Sequence, residues 1–115
     1  VQIACDTAKM YAARVTGKDA PVYEDNEKTL SEVKARIEKT IGYLNSFKAD
    51  DFKGAEERHI SQPRWEGKYL TGFEFATQHA IPNMYFHITT AYSILRHNGV
   101  PVGKKDYLGE MPYKK

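Results

Sequence analysis

Cysteine is almost absent from this chain: Cys5 stands alone. A lone thiol excludes an intrachain disulfide framework and fits a reducing compartment, so a cytoplasmic placement is expected. No apolar run approaches the roughly 18 residues that would span a bilayer, and no signal-peptide pattern is present, so no membrane association is expected. Neither sign of charge dominates. The 17 basic and 15 acidic residues are interspersed and leave a net charge of +2. No basic block with interleaved aromatics exists, which argues against a nucleic-acid partner. The closing Tyr113-Lys114-Lys115 is too short for a polybasic tail. A glycine-rich phosphate loop, a G-x-S-x-G elbow and a Cys-x-x-Cys pair are all missing. A Cys5–His87 nucleophilic pair would have no local signature to support it.

What remains is helical periodicity. At 115 residues and 41% hydrophobic content, the chain suits one domain, residues 1–115, with one core. Val1, Ala4, Ala8, Tyr11 and Val15 recur at the spacing of a packed helical seam, and Gly17 sits where a C-cap belongs. No cap residue precedes Val1, so the domain is expected to be N-terminally truncated, with the start of this helix and a preceding segment lying upstream. After a loop carrying Pro21 and the acidic pair Glu24-Asp25, Thr29-Leu30-Ser31-Glu32 forms a capping box. The stripe of the helix it opens is Leu30, Val33, Ile37, Ile41 and Leu44, with Phe47 near its end. Glu32, Lys34, Arg36, Glu38 and Lys39 read as its solvated face. Gly42 weakens this helix by about 1 kcal/mol relative to Ala.

Helical period is lost from Lys48 to Thr71. Arg58-His59-Ile60-Ser61 and Gly67-Lys68-Tyr69-Leu70-Thr71 read as two short strands, with Trp65 near their turn. A ribbon this small needs support, expected through Ile60, Tyr69 and Leu70. A second capping box, Thr71-Gly72-Phe73-Glu74, opens a long helix that stops at Asn98-Gly99. Pro82 should kink or divide it. Pro101, Gly103, Gly109 and Pro112 predict an irregular closing strap.

The long helix carries the chain's most distinctive feature. His79, Asn83, His87 and Thr90 fall on roughly one face, beside an apolar stripe of Ile88, Ala91 and Leu95. A buried polar group without a partner costs about 1–3 kcal/mol, so such a strip calls for internal partners or a ligand. As a core histidine, His87 should hydrogen-bond to Asn83, Asp6 or Gln2. As a functional one, it is the candidate acid/base and the weak candidate metal ligand. Gln2 and Asp6 share a face of the first helix, where Asp6 favours a salt bridge. The ligand-binding candidates are therefore Gln2, Asp6, His79, Asn83, His87 and Thr90. Cys5 and His97 read as structural.

The segment Phe73-Glu-Phe-Ala-Thr-Gln-His79 through Leu108-Gly109, with Pro82-Asn83, Phe86-His87, Leu95-Arg96-His97-Asn98-Gly99 and Gly103-Lys104, closely resembles an uncharacterised domain-of-unknown-function family, number nineteen ninety-three. Val1-Gln-Ile-Ala-Cys-Asp-Thr-Ala-Lys9 and Glu24-Asp-Asn26 are similar to it as well. The family is placed in the DinB/YfiT-like superfamily, whose members include metalloenzymes and thiol transferases. The resemblance implies an all-α, DinB-like up-down four-helix bundle, three helices of which are present here, with a short β-ribbon before the last long helix. It also implies an upstream segment, and homodimers, which are common among such bundles. The superfamily's metal site uses one histidine on the second helix and a His-x-x-x-His pair on the last. These positions fall near Gln2, on Asn83 and on His87. With one imidazole of three, no tightly held transition ion is expected, and only a weakly held divalent ion is left open.

Two functions follow. One is a small-molecule-binding protein or enzyme with a polar pocket around His87. The other is a non-catalytic, dimeric or partner-binding bundle with a structural polar core. On either reading, Val1, Ala4, Ala8, Tyr11, Val15, Leu30, Val33, Ile37, Ile41, Leu44, Ile88, Ala91 and Leu95 are expected to be largely buried.

Overall fold

The computed structural model describes residues 1–115. Helix α1 spans Gln2–Thr16 and α2 spans Leu30–Asn45. Short 3-10 turns at Ala49–Phe52 and Ala55–Glu57 lead to strand β1, His59–Ile60. A third 3-10 turn, Pro63–Trp65, precedes β2, Leu70–Thr71. One continuous helical rod then runs through α3, Gly72–Glu74, a π-helical segment, Phe75–Ala80, and α4, Ile81–His97. The chain ends with α5, Lys104–Leu108.

Local chemistry explains most of the boundaries. Gly17 adopts a left-handed conformation, φ 71°, and Lys18 N–H reaches back to Ala13 O at 3.0 Å, closing α1. Both capping boxes form. Thr29 Oγ1 accepts from Glu32 N–H, while Glu32 accepts from Thr29 N–H at 2.8 Å. Thr71 and Glu74 repeat the exchange. The left-handed Gly99 and the 3.1 Å bond from Val100 N–H to Leu95 O end α4. β1 and β2 pair antiparallel, His59 with Thr71 and Ile60 with Leu70.

Pro82 does divide the long helix. The division takes the form of a π-helical segment immediately before it, which accommodates a residue that can donate no ladder bond. The tail departs from its expected irregularity, because Asp106 accepts from Gly103 N–H at 2.7 Å and caps the short helix α5.

The core lies at one end of the bundle, under the ribbon. Val15, Ala55, Ile60, Phe75 and Ala80 form it, flanked by Tyr11, Phe52, Trp65 and Leu70. Phe75 is 2% exposed and packs against Tyr11 and Trp65. At Gly72 an added Cβ would stand 1.7 Å from Ala55 O, so the start of the rod can approach the chain before β1 only as glycine.

The expected burial of the helical seams is corrected here. Ile37 is 36% exposed and Leu95 47%, and Val1, Leu30, Ile41 and Ile88 are exposed as well. Of the first seam only Val15 is fully buried; Ala4, Ala8 and Tyr11 are half-buried. The buried face of α1 is instead Cys5, Lys9, Ala12, Ala13 and Val15, turned by roughly a quarter turn. The reason is geometric. Val1, Ala4, Ala8, Ile37, Ile41, Leu44, Met84, Ile88 and Ala91 line a groove of about 360 Å³ between α1, α2 and α4, and no element of the chain crosses it. The radius of gyration, 15.9 Å, exceeds the about 13 Å of a closed domain of this length.

Candidate functional site

Arg36 does not lie on a solvated face. It is 4% exposed, because the loop after α1 folds back over α2. Its guanidinium meets Asp6 at 3.0 Å, Asp25 at 2.9 Å and Glu27 at 3.0 Å, and donates to Glu24 O at 3.2 Å. Lys9, also 4% exposed, reaches Asp6 at 3.1 Å and lies 4.1 Å from the centre of the Tyr23 ring. Gln2 donates to Glu27 at 2.7 Å. That bond, and then the Arg36 guanidinium, hold the Glu27 carboxyl below its ordinary range against the opposing effect of burial. This cluster ties α1, the loop and α2 together. Gln2 joins it through its NH2 group, on the α2 side of α1.

The other side of α1 faces a cleft of about 360 Å³. Ile3, Thr7, Met10 and Arg14, at successive helical spacings of α1, form one wall. The π-helical segment and the first turns of α4 form the other, through Phe75, His79, Asn83 and His87. Gln62 and Arg64, from the turn between the strands, close one end. The structure thus brings together Asp6, His79, Asn83 and His87 of the residues singled out in the sequence. Gln2 and Thr90 do not line this cleft. Thr90, one turn past His87, borders a shallow depression with Ser93 and His97.

The cleft's polar groups differ in how they are paired. Asn83 donates to Thr7 Oγ1 at 2.8 Å. His87 makes none of the hydrogen bonds expected of it: Asn83 turns to Thr7, Asp6 to Lys9 and Arg36, and Gln2 to Glu27. It stands on the ridge between the cleft and the apolar groove, lining both, with Phe86 edge-on at 5.1 Å. His79 stacks on Phe75 at 5.1 Å and meets Trp65 edge-on at 5.7 Å. Its buried Nδ1 has no partner in the chain, and neither has the buried Nε2 of Gln62. Burial, then the charges of Arg64 and Arg14, push the His79 imidazole below its ordinary pKa of 6.5, which keeps the ring neutral near pH 7. Burial, and then Arg64, likewise weaken the hold of Arg14 on its proton. Neither Arg14 nor Arg64 belongs to any ion pair of the chain.

The donors near His87 do not suit a transition ion. No group of three His, Cys, Asp or Glu residues converges anywhere in the chain. Of the three positions implied by the superfamily, Gln2 and Asn83 offer only amide oxygens, which hold transition ions weakly, and their NH2 groups turn to Glu27 and Thr7. One imidazole is not the nitrogen- or sulfur-rich set that zinc or nickel takes.

Amphipathic helices in a bundle, with a two-stranded ribbon set before the last long one, define an all-α protein of the DinB-like type. A crystal structure at 1.83 Å resolution of a DinB family member protein from Shewanella denitrificans is similar to it at 64% identity and a TM-score of 0.96. The similarity covers 99% of this chain, which spans 65% of that one. The chain belongs to the family described as Domain of unknown function (DUF1993), which matches residues 1–108. No curated protein matches it. No helix is long and apolar enough to cross a membrane.

Arg14 and Arg64 are the residues that sequence reading missed. Arg14 shares the stripe of Ile3, Thr7 and Met10, a signal that was available. The approach of Arg64, 50 positions further on, depends on how the ribbon docks.

Proposed function

We propose that this DinB-like bundle binds a small molecule in the cleft between α1 and the π-helical segment, with Asn83 and His87 along its wall and His79 at its floor. One observation carries the reading: two buried polar atoms of the cleft, His79 Nδ1 and Gln62 Nε2, find no partner within the chain. A structural polar core pairs such atoms internally, as the Arg36 cluster does with the one exception of Arg36 Nε. The volume falls within the range of small-ligand sites. His87, with a ring free of internal hydrogen bonds, is the group available for proton transfer to a bound molecule. A fragment screen by NMR on the full chain tests this. Fragments should shift the His79 and His87 ring signals, and His87→Asn should lose them while melting within about 1 kcal/mol of the parent. A protein that melts far lower on that change, and binds nothing before it, would make the strip structural.

Metal takes no part in this reading. Elemental analysis of chelator-free protein should find no near-stoichiometric zinc or nickel, and a stoichiometric metal lost in His87→Ala would overturn that. The free, buried Cys5 supports a reducing, cytoplasmic setting.

A second reading, a homodimer, is favoured by the outward-facing groove of Ile37, Ile41, Met84 and Ile88. A second copy seated there would bury apolar surface that soluble monomers rarely leave contiguous. Light scattering at micromolar concentration should return a dimer mass. A monomer whose groove is covered from within its own chain would end this reading.

A further inference from the structure

Two guanidiniums bordering one cleft, neither neutralised by a carboxylate, form an unusual arrangement. Arg14 comes from the last turn of α1 and Arg64 from the turn between the strands. The cleft's one carboxylate, Asp6, is held by Lys9 and Arg36. It also lies eight residues from Arg14 along the same helix, about 12 Å by helical rise. The Arg14 end of the cleft therefore carries uncompensated positive charge, and Asp6 does not offset it locally. The Nε2 of Gln62 adds a buried donor without an acceptor at the same end. The buried Phe75 ring backs that end, with the Arg14 guanidinium 6.0 Å from its centre.

We propose that the cleft takes a compact molecule through an oxyanion head, a carboxylate or a phosphate, clamped between Arg14 and Arg64 and bonded by Gln62. This rests on the reading of the cleft as a binding site. Guanidinium matches planar and tetrahedral oxyanions through paired N–H donors, and such charge-assisted bonds are about twice as strong as neutral ones. The rest of the molecule lies along Met10 and Ile3 toward Asn83 and His87, whose side chains are polar groups within its reach. Burial first, and then the charges of Arg64 and Arg14, disfavour the His79 imidazolium. Once an anion sits between them, the imidazolium becomes less unfavourable, so ligand binding and His79 protonation are linked.

The test is an NMR titration of the full chain with inorganic phosphate, benzoate, benzyl alcohol and benzamidine, following the His79 ring signals and the cleft amides. Benzoate and benzamidine share a ring and differ in charge, while phosphate and benzoate separate the two oxyanion classes. Benzoate, phosphate or both should shift cleft signals and raise the His79 midpoint. Arg64→Gln, at an exposed turn, should weaken that binding about tenfold or more. Arg14→Lys should weaken it less, since it keeps the charge and loses the fork. If benzyl alcohol or benzamidine binds the cleft as well as benzoate does, the cleft is a site but not an anion site, and this inference falls alone. If no probe perturbs the cleft, the inference falls together with the reading beneath it. Anion binding that Arg64→Gln leaves unchanged would also overturn the clamp.

Discussion

Arginines occupy both flanks of α1, and the two flanks treat them in opposite ways. On the α2 side, Arg36 is enclosed by Asp6, Asp25 and Glu27, three carboxylates drawn from α1 and the following loop. On the α4 side, Arg14 and Arg64 have no carboxylate partner, and burial first, then their charges, lower the pKa of the neighbouring His79. The same residue type serves as a tie in one place and is left as an open donor in the other. A buried, paired charge is costly to break because its partners are then stranded. An unpaired charge at a cleft costs little to remove and is free to recognise something. Composition cannot separate the two, since interspersed charges look alike along the chain.

Removing the tie should have the largest effect. Arg36→Ala removes the cation shared by Asp6, Asp25 and Glu27, leaving Asp6 only Lys9 and Glu27 only Gln2, and is expected to cost about 3 kcal/mol, read from urea unfolding at pH 7. A loss below about 1 kcal/mol would mean that the cluster holds nothing. Asp6→Asn comes next, with an expected loss of about 1.5–3 kcal/mol, because charge-assisted bonds from Lys9 and Arg36 weaken together. It should not weaken oxyanion binding, since it removes the cleft's one carboxylate, and this separates the two flanks directly.

The pH dependence of stability is a smaller effect on the cleft side. The pKa of His79 is lowered by folding, so between its folded value and 6.5 the unfolded chain binds more protons. Stability from this group is complete above pH 6.5 and is lost as pH falls through the folded value. His79→Phe should flatten that part of the profile in thermal melts from pH 7 to pH 5. An unchanged slope would show that the ring is not held neutral. Smallest of all is Arg64→Gln, expected to change stability by no more than about 0.5 kcal/mol. A larger loss would show that Arg64 is a tie after all.

Much of the backbone was legible because its signals are local. The Thr29/Glu32 and Thr71/Glu74 boxes, Gly17, and Asn98-Gly99 each set an end within four residues of chain, and the structure keeps all of them. The ribbon followed from the loss of helical period around Pro63. Burial was less legible, because it depends on which faces have neighbours. Ile37 and Leu95 obey the helical pattern and are still exposed, Ile37 along the open groove. Arg36 obeys the pattern of a solvated face and is buried, because the Tyr23–Glu27 loop returns over it. Pro82 announced a break without saying that a π-helical segment would absorb it. His79, Asn83 and His87 came together as their spacing implied. Thr90 did not join them, and Gln2 was drawn to Glu27 on the opposite side.

The unpaired arginines of the cleft, and not the apolar groove or the Arg36 cluster, should mark where a ligand sits. Soaking crystals of the full chain with 4-bromobenzoate and locating bromine by its anomalous signal tests it most directly. The carboxylate is expected within hydrogen-bonding distance of Arg14 and Arg64, with bromine inside the cleft toward Asn83 and His87. Bromine found only in the groove of Ile37, Ile41 and Ile88, with both guanidiniums bare, would contradict it.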